Sequence, residues 1–326
     1  MTQPRLSTVS VVMPCYNGMP QMSRALESAI EQTHRAVEII VVDDGSTDDS
    51  AACVNHYIHQ HPEANIRLIR QTNSGEPAAR NKGIHAASGD WVAMLDTDDW
   101  WDKTKLAKQL TESQAAGPDC VLVHTGVIHH FPDGQTHELN MQAPAQRVGW
   151  ATSTLLNDGS IGHPSIMVRR TALMDLGGYD TTFKQACDID LYYRLSAVGT
   201  FAFVHEYLLH YSVYEGQMSS RVADQLRSHH RAIRNFFHDH PELAHKIGRD
   251  KIRAAMTRQI VDKLKSTYWR RRLPEFRALL EYADESGFKS PQIEQWRKRR
   301  VYPDWLIRVK DRLTVAWSTE EAGGVA

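Results

Sequence analysis

The sequence predicts an α/β fold in which a mostly parallel sheet is flanked by helices, with a helical C-terminal extension. Short runs of apolar, β-branched residues alternate with stretches of helical periodicity in the first hundred residues. A polar cluster (CYNG, DDGSTDD, NSGEP or DTDD) follows each of the first four predicted strands. Beyond residue 218 the predicted elements are helices separated by prolines.

The predicted elements follow in order along the chain. TVSVVMPCYN, VEIIVVDD, NIRLIRQ and DWVAMLD are strands, because each is an apolar run ended by polar residues. MSRALESAIEQT, DSAACVNHYIHQH and PAARNKGIHAAS are the helices between them. Further on, CVLVHTGVIHHF and TFAFVHEYLLHYSVY are strands, and DIDLYYRLSAVG is a helix. Since ligands bind beyond the carboxyl ends of parallel strands, we expect the four polar clusters to gather at one edge.

The charge distribution divides the chain. Residues 1–218 hold 15 Lys and Arg against 25 Asp and Glu, a net charge of −10. Residues 219–326 hold 23 against 14, a net charge of +9. This asymmetry predicts two domains, 1–218 and 219–326. The acidic domain is suited to bind cations, and the basic region is suited to face an anionic surface.

The apolar runs are short and the N-terminus shows no secretory signal pattern, so a cytoplasmic protein is expected. The four scattered cysteines fit a reducing compartment. In WLIRVKDRLTVAW (305–317), apolar residues recur at helical spacing between basic ones. That pattern indicates a helix packed on the catalytic domain or on a second subunit of a homo-oligomer. The alternative is peripheral contact with the inner face of a membrane. No nucleic-acid recognition motif is found, so nucleic acid is not an expected partner.

Two pairs of carboxylates have both a functional and a structural interpretation. Asp43 and Asp44 end the second strand and can accept hydrogen bonds from a base or ribose, or can shape the turn and cap the next helix. Asp188 and Asp190 lie in a predicted helix, where residues two apart do not face each other. One can face a cleft as a general base. The alternative is an acid favoured by the start of the helix.

Asp96 and Asp98 flank Thr97 after the apolar run WVAML. Mg²⁺ and Mn²⁺ take oxygen ligands, often one or two carboxylates plus phosphate oxygens and water. A bound cation would offset the repulsion between these closely spaced acids, and it would also neutralise a leaving diphosphate. The alternative is a solvated acidic turn in which Asp99 caps the helix WDKTKLAKQL.

Taken together, VSVVMPCYNG, IIVVDDGSTDDS, NSGEPAARNKGI, GDWVAMLDTDDWW and GGYDTTFKQACDIDLYYRL resemble the family-2 glycosyltransferases over residues 7–220. The resemblance implies the GT-A fold, which is Rossmann-like. It also implies an inverting transfer of a sugar from a nucleotide diphosphate to an acceptor hydroxyl, with Mg²⁺ or Mn²⁺ as cofactor. A uridine diphosphate sugar is the default donor, and a glycan or lipid-linked glycan in cell-surface polysaccharide or glycolipid synthesis is the expected acceptor.

The resemblance implies a role for individual residues. Asp188 takes the position of the catalytic base, and Asp98, with Asp96, binds the metal. The remaining positions bind the donor nucleotide sugar: Pro14, Tyr16, Asn17, Asp43, Asp44, Asn73, Gly75, Arg80, Asp96 and Thr97.

Two positions depart from the family pattern. Cys187 stands where relatives often have Glu, which weakens any inference about the acceptor. Tyr214 stands where relatives often have His, so Tyr214 or nearby His210 has to perform the role of that histidine in a different way. The signature Gln-x-x-Arg-Trp of processive synthases is missing, which favours addition of a single sugar. His163 precedes the base in the chain and either forms part of an acceptor wall or closes a turn before proline.

Other classes of protein are less well supported. A nucleotidyltransferase should have a glycine-rich basic loop after the first strand, and a dehydrogenase should have G-x-G-x-x-G there; PCYNGMPQMS fits neither. The main alternative is a non-catalytic protein that binds nucleotide sugars, or acts as a scaffold, on a transferase fold.

Overall fold

A computed structural model describes residues 7–139, 151–158, 161–214 and 221–300. In this part of the chain nine strands form one sheet, in the order β3-β2-β1-β4-β8-β6-β9-β5, with β7 paired to β6. The strands are β1 Val9–Cys15, β2 Glu38–Asp43, β3 Ile66–Arg70, β4 Trp91–Met94, β5 Trp100–Trp101, β6 Cys120–His130, β7 Thr136–Leu139, β8 Met167–Arg169 and β9 Thr200–Ser212.

Helices flank the sheet and dominate the C-terminal region. Those before residue 215 are α1 Met22–Ile30, α2 Ser50–Gln60, α3 Glu76–Ala86, α4 Lys105–Ala116, α5 Thr152–Asp158, α6 Arg170–Asp175 and α7 Cys187–Val198. Those after residue 220 are α8 Val222–Asp239, α9 Pro241–Ile247, α10 Arg249–Trp269, α11 Leu273–Glu285 and α12 Pro291–Arg300. The predicted α/β fold with a helical C-terminal region is confirmed. The sequence WLIRVKDRLTVAW lies outside the described residues.

The four strands predicted first form the parallel half of the sheet. β1 pairs with β2 and β4, and β2 pairs with β3, all in parallel. β1 and β2 are buried along their whole length, as expected for strands covered on both faces. Their register aligns Cys15 with Asp43 and Asp43 with Arg70, so that the carboxyl ends lie side by side. Helix α3 packs tightly over β1, because a Cβ added to Gly83 would lie 2.4 Å from Cγ1 of Val12.

The other half of the sheet is mixed. β8 pairs antiparallel with both β4 and β6, and β6 pairs in parallel with β9. The predicted helix after the acidic run begins later than its sequence suggests, at Lys105, because Trp100 and Trp101 form the short strand β5 against β9. β5 therefore connects the loop after β4 to the end of β9.

The chain separates into two compact units, Met1–Gln217 with Arg231–Pro241 and Met218–His230 with Glu242–Ala326. In the second unit, α10 and α11 bury Ile260, Leu264, Leu279 and Leu280 completely. The predicted division into residues 1–218 and 219–326 stays a prediction. Within the described residues, every helix is too short or too polar to cross a membrane.

Candidate active site

Asn17 joins the loops that follow β1 and β2. Its backbone has a φ of +53°, its Oδ1 accepts a hydrogen bond from Thr47 N (2.8 Å), and its own N donates to Ser46 Oγ (2.9 Å). The loop after β1 also approaches the loop after β4, since a Cβ added to Gly18 would lie 3.1 Å from Cβ of Thr97. The strand ends therefore meet at one edge of the sheet, as predicted.

Asp44 connects the loops after β2 and β3. Its side chain is buried, and Oδ1 accepts hydrogen bonds from Gln71 Nε2 and Ser74 N, both at 2.8 Å. Oδ2 accepts a third hydrogen bond from Gly75 N (2.8 Å), and Gly75 has a φ of +89°, which glycine adopts without steric cost. The carboxylate thus holds the NSGEP loop in shape. Its predicted contact with the nucleotide base stays a prediction.

Asp43 also has a structural role. It is buried, its Oδ1 accepts a hydrogen bond from the backbone N–H three residues later, and its Oδ2 accepts one from Arg70 Nε (3.1 Å). Among the other residues predicted to bind the donor, Pro14 is buried within β1, whereas Tyr16 and Asn73 are exposed beyond the strand ends. Tyr16 and Asn73 are therefore accessible to a ligand at this edge.

Arg80 links helix α3 to the loop after β4. Its side chain is only 3% exposed, and Nη2 lies 2.9 Å from Asp96 Oδ1 and 2.5 Å from Glu76 Oε1. Its Nη1 lies 3.8 Å from Cys187 Sγ at the start of α7. Burial alone would lower the pKa of Arg80, but the carboxylates of Glu76 and Asp96 raise it well above its ordinary value. Arg80 therefore remains charged and balances the acids around it, and its predicted contact with the donor stays a prediction.

Asp98 and Asp99 contact the end of β9. Asp98 Oδ2 accepts a hydrogen bond from Tyr214 OH (2.9 Å), and Asp99 Oδ1 accepts one from Ser212 N (2.9 Å). Burial, with the nearby charges of Asp98 and Asp96, raises the pKa of Asp99 well above its ordinary value. Asp99 thus binds β9 and does not cap the following helix, where Asp102 instead accepts a hydrogen bond from Thr104 N (2.8 Å).

The two acids of helix α7 differ in environment. Asp190 is buried and pairs with Arg194, one turn later, at 2.7 Å. Asp188 is half-buried, and burial raises its pKa, whereas Arg80 lowers it and Asp96 raises it further. Asp188 therefore interacts electrostatically with the residues at the end of β4, whereas Asp190 forms an ion pair within α7. The predicted role of Asp188 as the base stays a prediction.

The acids at the end of β4 suit a divalent cation in their chemistry. Asp96 and Asp98 offer carboxylate oxygens, the donors that Mg²⁺ and Mn²⁺ prefer. Asp99 Oδ2 is buried and has no hydrogen-bond partner in the part of the chain that the structure describes. No group of three or more His, Cys, Asp or Glu among those residues forms a site complete in itself. One or two carboxylates with donor phosphate oxygens and water would meet the usual coordination.

The two tryptophans after the acidic run pack in different ways. Trp101 is buried, and its Nε1 donates a hydrogen bond to Pro164 O (2.9 Å). The Trp100 ring contacts Arg24, whose guanidinium carbon lies 3.3 Å from the ring centroid. It also stacks on His210, with the two ring centroids 4.9 Å apart. His210 also shares a hydrogen bond with His130 (2.9 Å). These contacts assign structural roles to both tryptophans and to His210.

Sequence reasoning missed Glu76, and it missed the contacts of His163, which it assigned to an acceptor wall or to a turn before proline. Glu76 looked like an ordinary helix start, and only its spacing of four from Arg80 signals an ion pair. His163 is buried and bridges two tyrosine hydroxyls, with Nδ1 2.7 Å from Tyr192 OH and Nε2 2.9 Å from Tyr179 OH. Burial, and then Arg80, lower the pKa of His163 well below its ordinary value, so the ring is neutral. Its partners are 16 and 29 residues away, which no local pattern reveals.

The fold and the acids at its edge are those of a glycosyltransferase. The family model described as "Glycosyl transferase family 2" matches residues 10–177 of this chain. The chain belongs to this family.

Relatives and a solved structure agree with this membership. An uncharacterised glycosyltransferase of Rickettsia typhi is 27% identical over 230 residues, which is 68% of this chain and 69% of that protein. A putative teichuronic acid biosynthesis glycosyltransferase of Bacillus subtilis is 35% identical over 42% of this chain and 53% of that protein. A mannosyltransferase from Pyrobaculum calidifontis, solved with GDP-Man and Mn²⁺, has the same fold, with a TM-score of 0.61 and 20% identity over 97% of this chain and 84% of that one.

Proposed function

We propose that this glycosyltransferase moves a single sugar from a nucleotide diphosphate sugar to an acceptor hydroxyl and inverts the anomeric centre. The observation that carries the proposal is the ion pair of buried Arg80 with Asp96, beside the start of helix α7. It brings the acid at the end of β4 into electrostatic contact with Asp188. An acid that faces the diphosphate and a separate base for the acceptor are what such a transfer needs.

Asp188 is the proposed catalytic base. One of its oxygens takes the proton of the acceptor hydroxyl while the hydroxyl oxygen bonds to the anomeric carbon. The bond from that carbon to the diphosphate oxygen breaks, and its electron pair leaves with the nucleotide diphosphate. A raised pKa makes Asp188 a stronger proton acceptor than an exposed aspartate, which suits the role.

Asp98 and Asp96 are the proposed ligands of Mg²⁺ or Mn²⁺, which when bound offsets the negative charge of the departing diphosphate. The mannosyltransferase with the same fold was solved with Mn²⁺ and GDP-Man, which supports the use of a divalent metal. Arg80 keeps Asp96 oriented through the 2.9 Å ion pair.

The remaining predicted positions surround the donor in this proposal, with Tyr16 and Asn73 exposed at the edge of the sheet and Asp44 shaping the loop that carries Asn73. The putative teichuronic acid enzyme among the relatives supports a glycan acceptor in polysaccharide synthesis. A uridine or guanosine diphosphate sugar is the proposed donor. A lipid-linked glycan at the cytoplasmic face of the membrane is the proposed acceptor.

Replacement of Asp188 by Asn tests the role of the base. The change keeps size and removes the proton acceptor, so we expect transfer to fall by about a hundredfold or more while donor affinity stays within about twofold. Transfer rates and calorimetric donor binding are measured on the same preparation. Unchanged transfer would remove Asp188 from the mechanism. Donor binding without transfer to any glycan acceptor in the wild type would favour the alternative of a non-catalytic nucleotide-sugar-binding protein.

We propose peripheral membrane contact through the second unit, because an exposed indole there lies among cations. Trp269 is 51% exposed at the end of α10, and the exposed side chain of Arg270 follows it. The guanidinium carbon of Arg299 lies 4.7 Å from the ring of Tyr268 and 5.1 Å from that of Trp296. Indoles favour the water–lipid interface, and cations favour anionic headgroups.

Vesicle flotation tests this surface. Lys298 is exposed in α12 beside Arg299. Arg270→Gln with Lys298→Gln should weaken binding to phosphatidylglycerol vesicles by about thirtyfold, at about 1 kcal/mol for each cation. Arg249→Gln with Lys251→Gln removes the same charge about 30 Å away along helix α10 and is the matched control. Equal weakening by both pairs, or no binding by the wild type, would contradict a local membrane surface and favour packing against a second subunit.

A further inference from the structure

Glu76 is an acid of the site to which the proposed mechanism gives no role. It is the first residue of α3, and Arg80 lies one turn later on the same helix. The two side chains differ in exposure, since 31% of Glu76 is accessible and only 3% of Arg80 is. The Glu76 carboxylate is therefore accessible to a ligand, and the buried guanidinium of Arg80 holds it at 2.5 Å.

The electrostatic surroundings of Glu76 place it near both ends of the site. Burial raises the pKa of Glu76 to about 7, and although Arg80 lowers it, the charges of Asp96, Asp188 and Asp98 raise it further. These three acids are the proposed metal ligands and the proposed base. Because Arg80 contacts Asp96 and the first residue of α7, its partner Glu76 lies close to the end of β4 and to the start of α7.

The transferred sugar has to occupy the same space. In the proposed reaction its anomeric carbon is bonded to the diphosphate, at the side of Asp96 and Asp98, and is attacked from the side of Asp188. The sugar ring therefore lies between these acids, and its hydroxyl groups need hydrogen-bond acceptors in the wall. Arg80 Nη2 binds both Glu76 and Asp96, which couples the position of Glu76 to the diphosphate end of the site.

Arg80 provides a second observation. Its Nε is buried and has no hydrogen-bond partner among the described residues, although both of its terminal nitrogens are occupied. Buried donors are seldom left unpaired. The cluster of Arg80, Glu76 and Asp96 is thus incomplete within the described part of the chain.

We propose that Glu76 accepts hydrogen bonds from hydroxyl groups of the transferred sugar and thereby contributes to the choice of donor. The inference rests on the proposed function, because it requires a nucleotide sugar bound between Asp96 and Asp188. Arg80 holds the Glu76 carboxylate in place and leaves its second oxygen for the sugar.

Paired calorimetric titrations test the proposal. Uridine diphosphate is compared with UDP-glucose and UDP-N-acetylglucosamine, and guanosine diphosphate with GDP-mannose, each in the presence of Mn²⁺. For the sugar nucleotide that the wild type binds, Glu76→Ala should weaken affinity by about tenfold, the usual effect of losing a hydrogen bond to a charged group. Affinity for the matching nucleotide diphosphate should change by less than about twofold, because it lacks the sugar.

The control is Glu275→Gln. Glu275 is also 31% exposed and pairs with Arg272 at 2.8 Å near the start of helix α11, so it matches Glu76 in exposure and in having an arginine partner. Glu275→Gln should change neither the affinity for the sugar nucleotide nor that for the nucleotide diphosphate. Glu76→Gln, which keeps the shape of the side chain, replaces the alanine variant if that variant is not folded by circular dichroism.

The outcomes separate the two proposals. Equal affinity of Glu76→Ala and the wild type for the sugar nucleotide would overturn the role of Glu76 and leave the transferase function standing. Equal weakening for the nucleotide diphosphate and its sugar conjugate would show that Glu76 acts only by positioning the metal ligands. Failure of the wild type to bind any of these nucleotides would refute the proposed function itself.

Discussion

Replacement of Glu76 by Gln is expected to stabilise the protein at alkaline pH. Burial raises the pKa of Glu76 from its ordinary value of 4.5 to about 7, despite the ion pair with Arg80. The folded state therefore disfavours the charged carboxylate more than the unfolded state does. Glutamine has a similar shape and no charge, so it removes this cost.

The size of the effect follows from the difference between the two pKa values. At about 1.4 kcal/mol for each pH unit, a rise from 4.5 to about 7 corresponds to at most about 3.5 kcal/mol. Because 31% of the side chain is accessible and solvent screens its charge, we reduce this by somewhat more than half, to about 1.5 kcal/mol. Between pH 4.5 and 7 the folded state binds more protons through Glu76 than the unfolded state, so this cost grows as the pH rises.

Urea denaturation at pH 4.5, 6 and 8 measures the prediction. The free energy of unfolding of Glu76→Gln should equal that of the wild type at pH 4.5 and exceed it by about 1.5 kcal/mol at pH 8. Glu275→Gln, which removes an equally exposed glutamate whose pKa is lowered in the folded state, should show no such gain. A variant that is less stable than the wild type at pH 8 would refute the reasoning, since it would show that the ion pair with Arg80 outweighs burial and the neighbouring acids.

Two further predictions concern stability. Gly83→Ala should lower the free energy of unfolding by about 1–3 kcal/mol, because the new Cβ would lie 2.4 Å from Cγ1 of Val12. Adding Val12→Ala to the same chain should recover part of this loss. Strictly additive effects of the two substitutions in urea denaturation would contradict the predicted clash. His163→Phe should lower the free energy of unfolding by about 2–4 kcal/mol, because it leaves the buried hydroxyls of Tyr179 and Tyr192 without their shared partner. A shift of the denaturation midpoint equivalent to less than about 0.5 kcal/mol would show that this hydrogen-bonded bridge is unimportant.

Much of the fold is predictable because its signals are local. The first four strands are continuous apolar runs and the helices between them have clear periodicity, so both appear in the sequence as in the structure. The strand Trp100–Trp101 was not predicted, since two residues have no periodicity and the strand exists only by pairing with His210 and Leu209, more than a hundred residues later.

The candidate site is predictable in position and less so in its contacts. Strand ends locate Asp44 and Asp96, but the hydrogen bonds of Asp44 to a loop thirty residues away depend on tertiary structure. The same holds for the ion pair of Arg80 with Asp96. Sequence patterns therefore indicate where the acids gather, and only the fold shows which are already occupied by the chain's own groups.

Calorimetric binding of uridine, guanosine and thymidine diphosphates, each with and without Mn²⁺, tests the central claim most directly. We expect one nucleotide to bind with an affinity that Mn²⁺ raises by at least about tenfold, an effect that Asp98→Asn removes because it takes away a carboxylate charge from the proposed metal site. Circular dichroism verifies that the variant is folded. If the folded wild type binds none of the three nucleotides, or binds one with the same affinity in the absence of Mn²⁺, the proposal of a metal-dependent glycosyltransferase is contradicted.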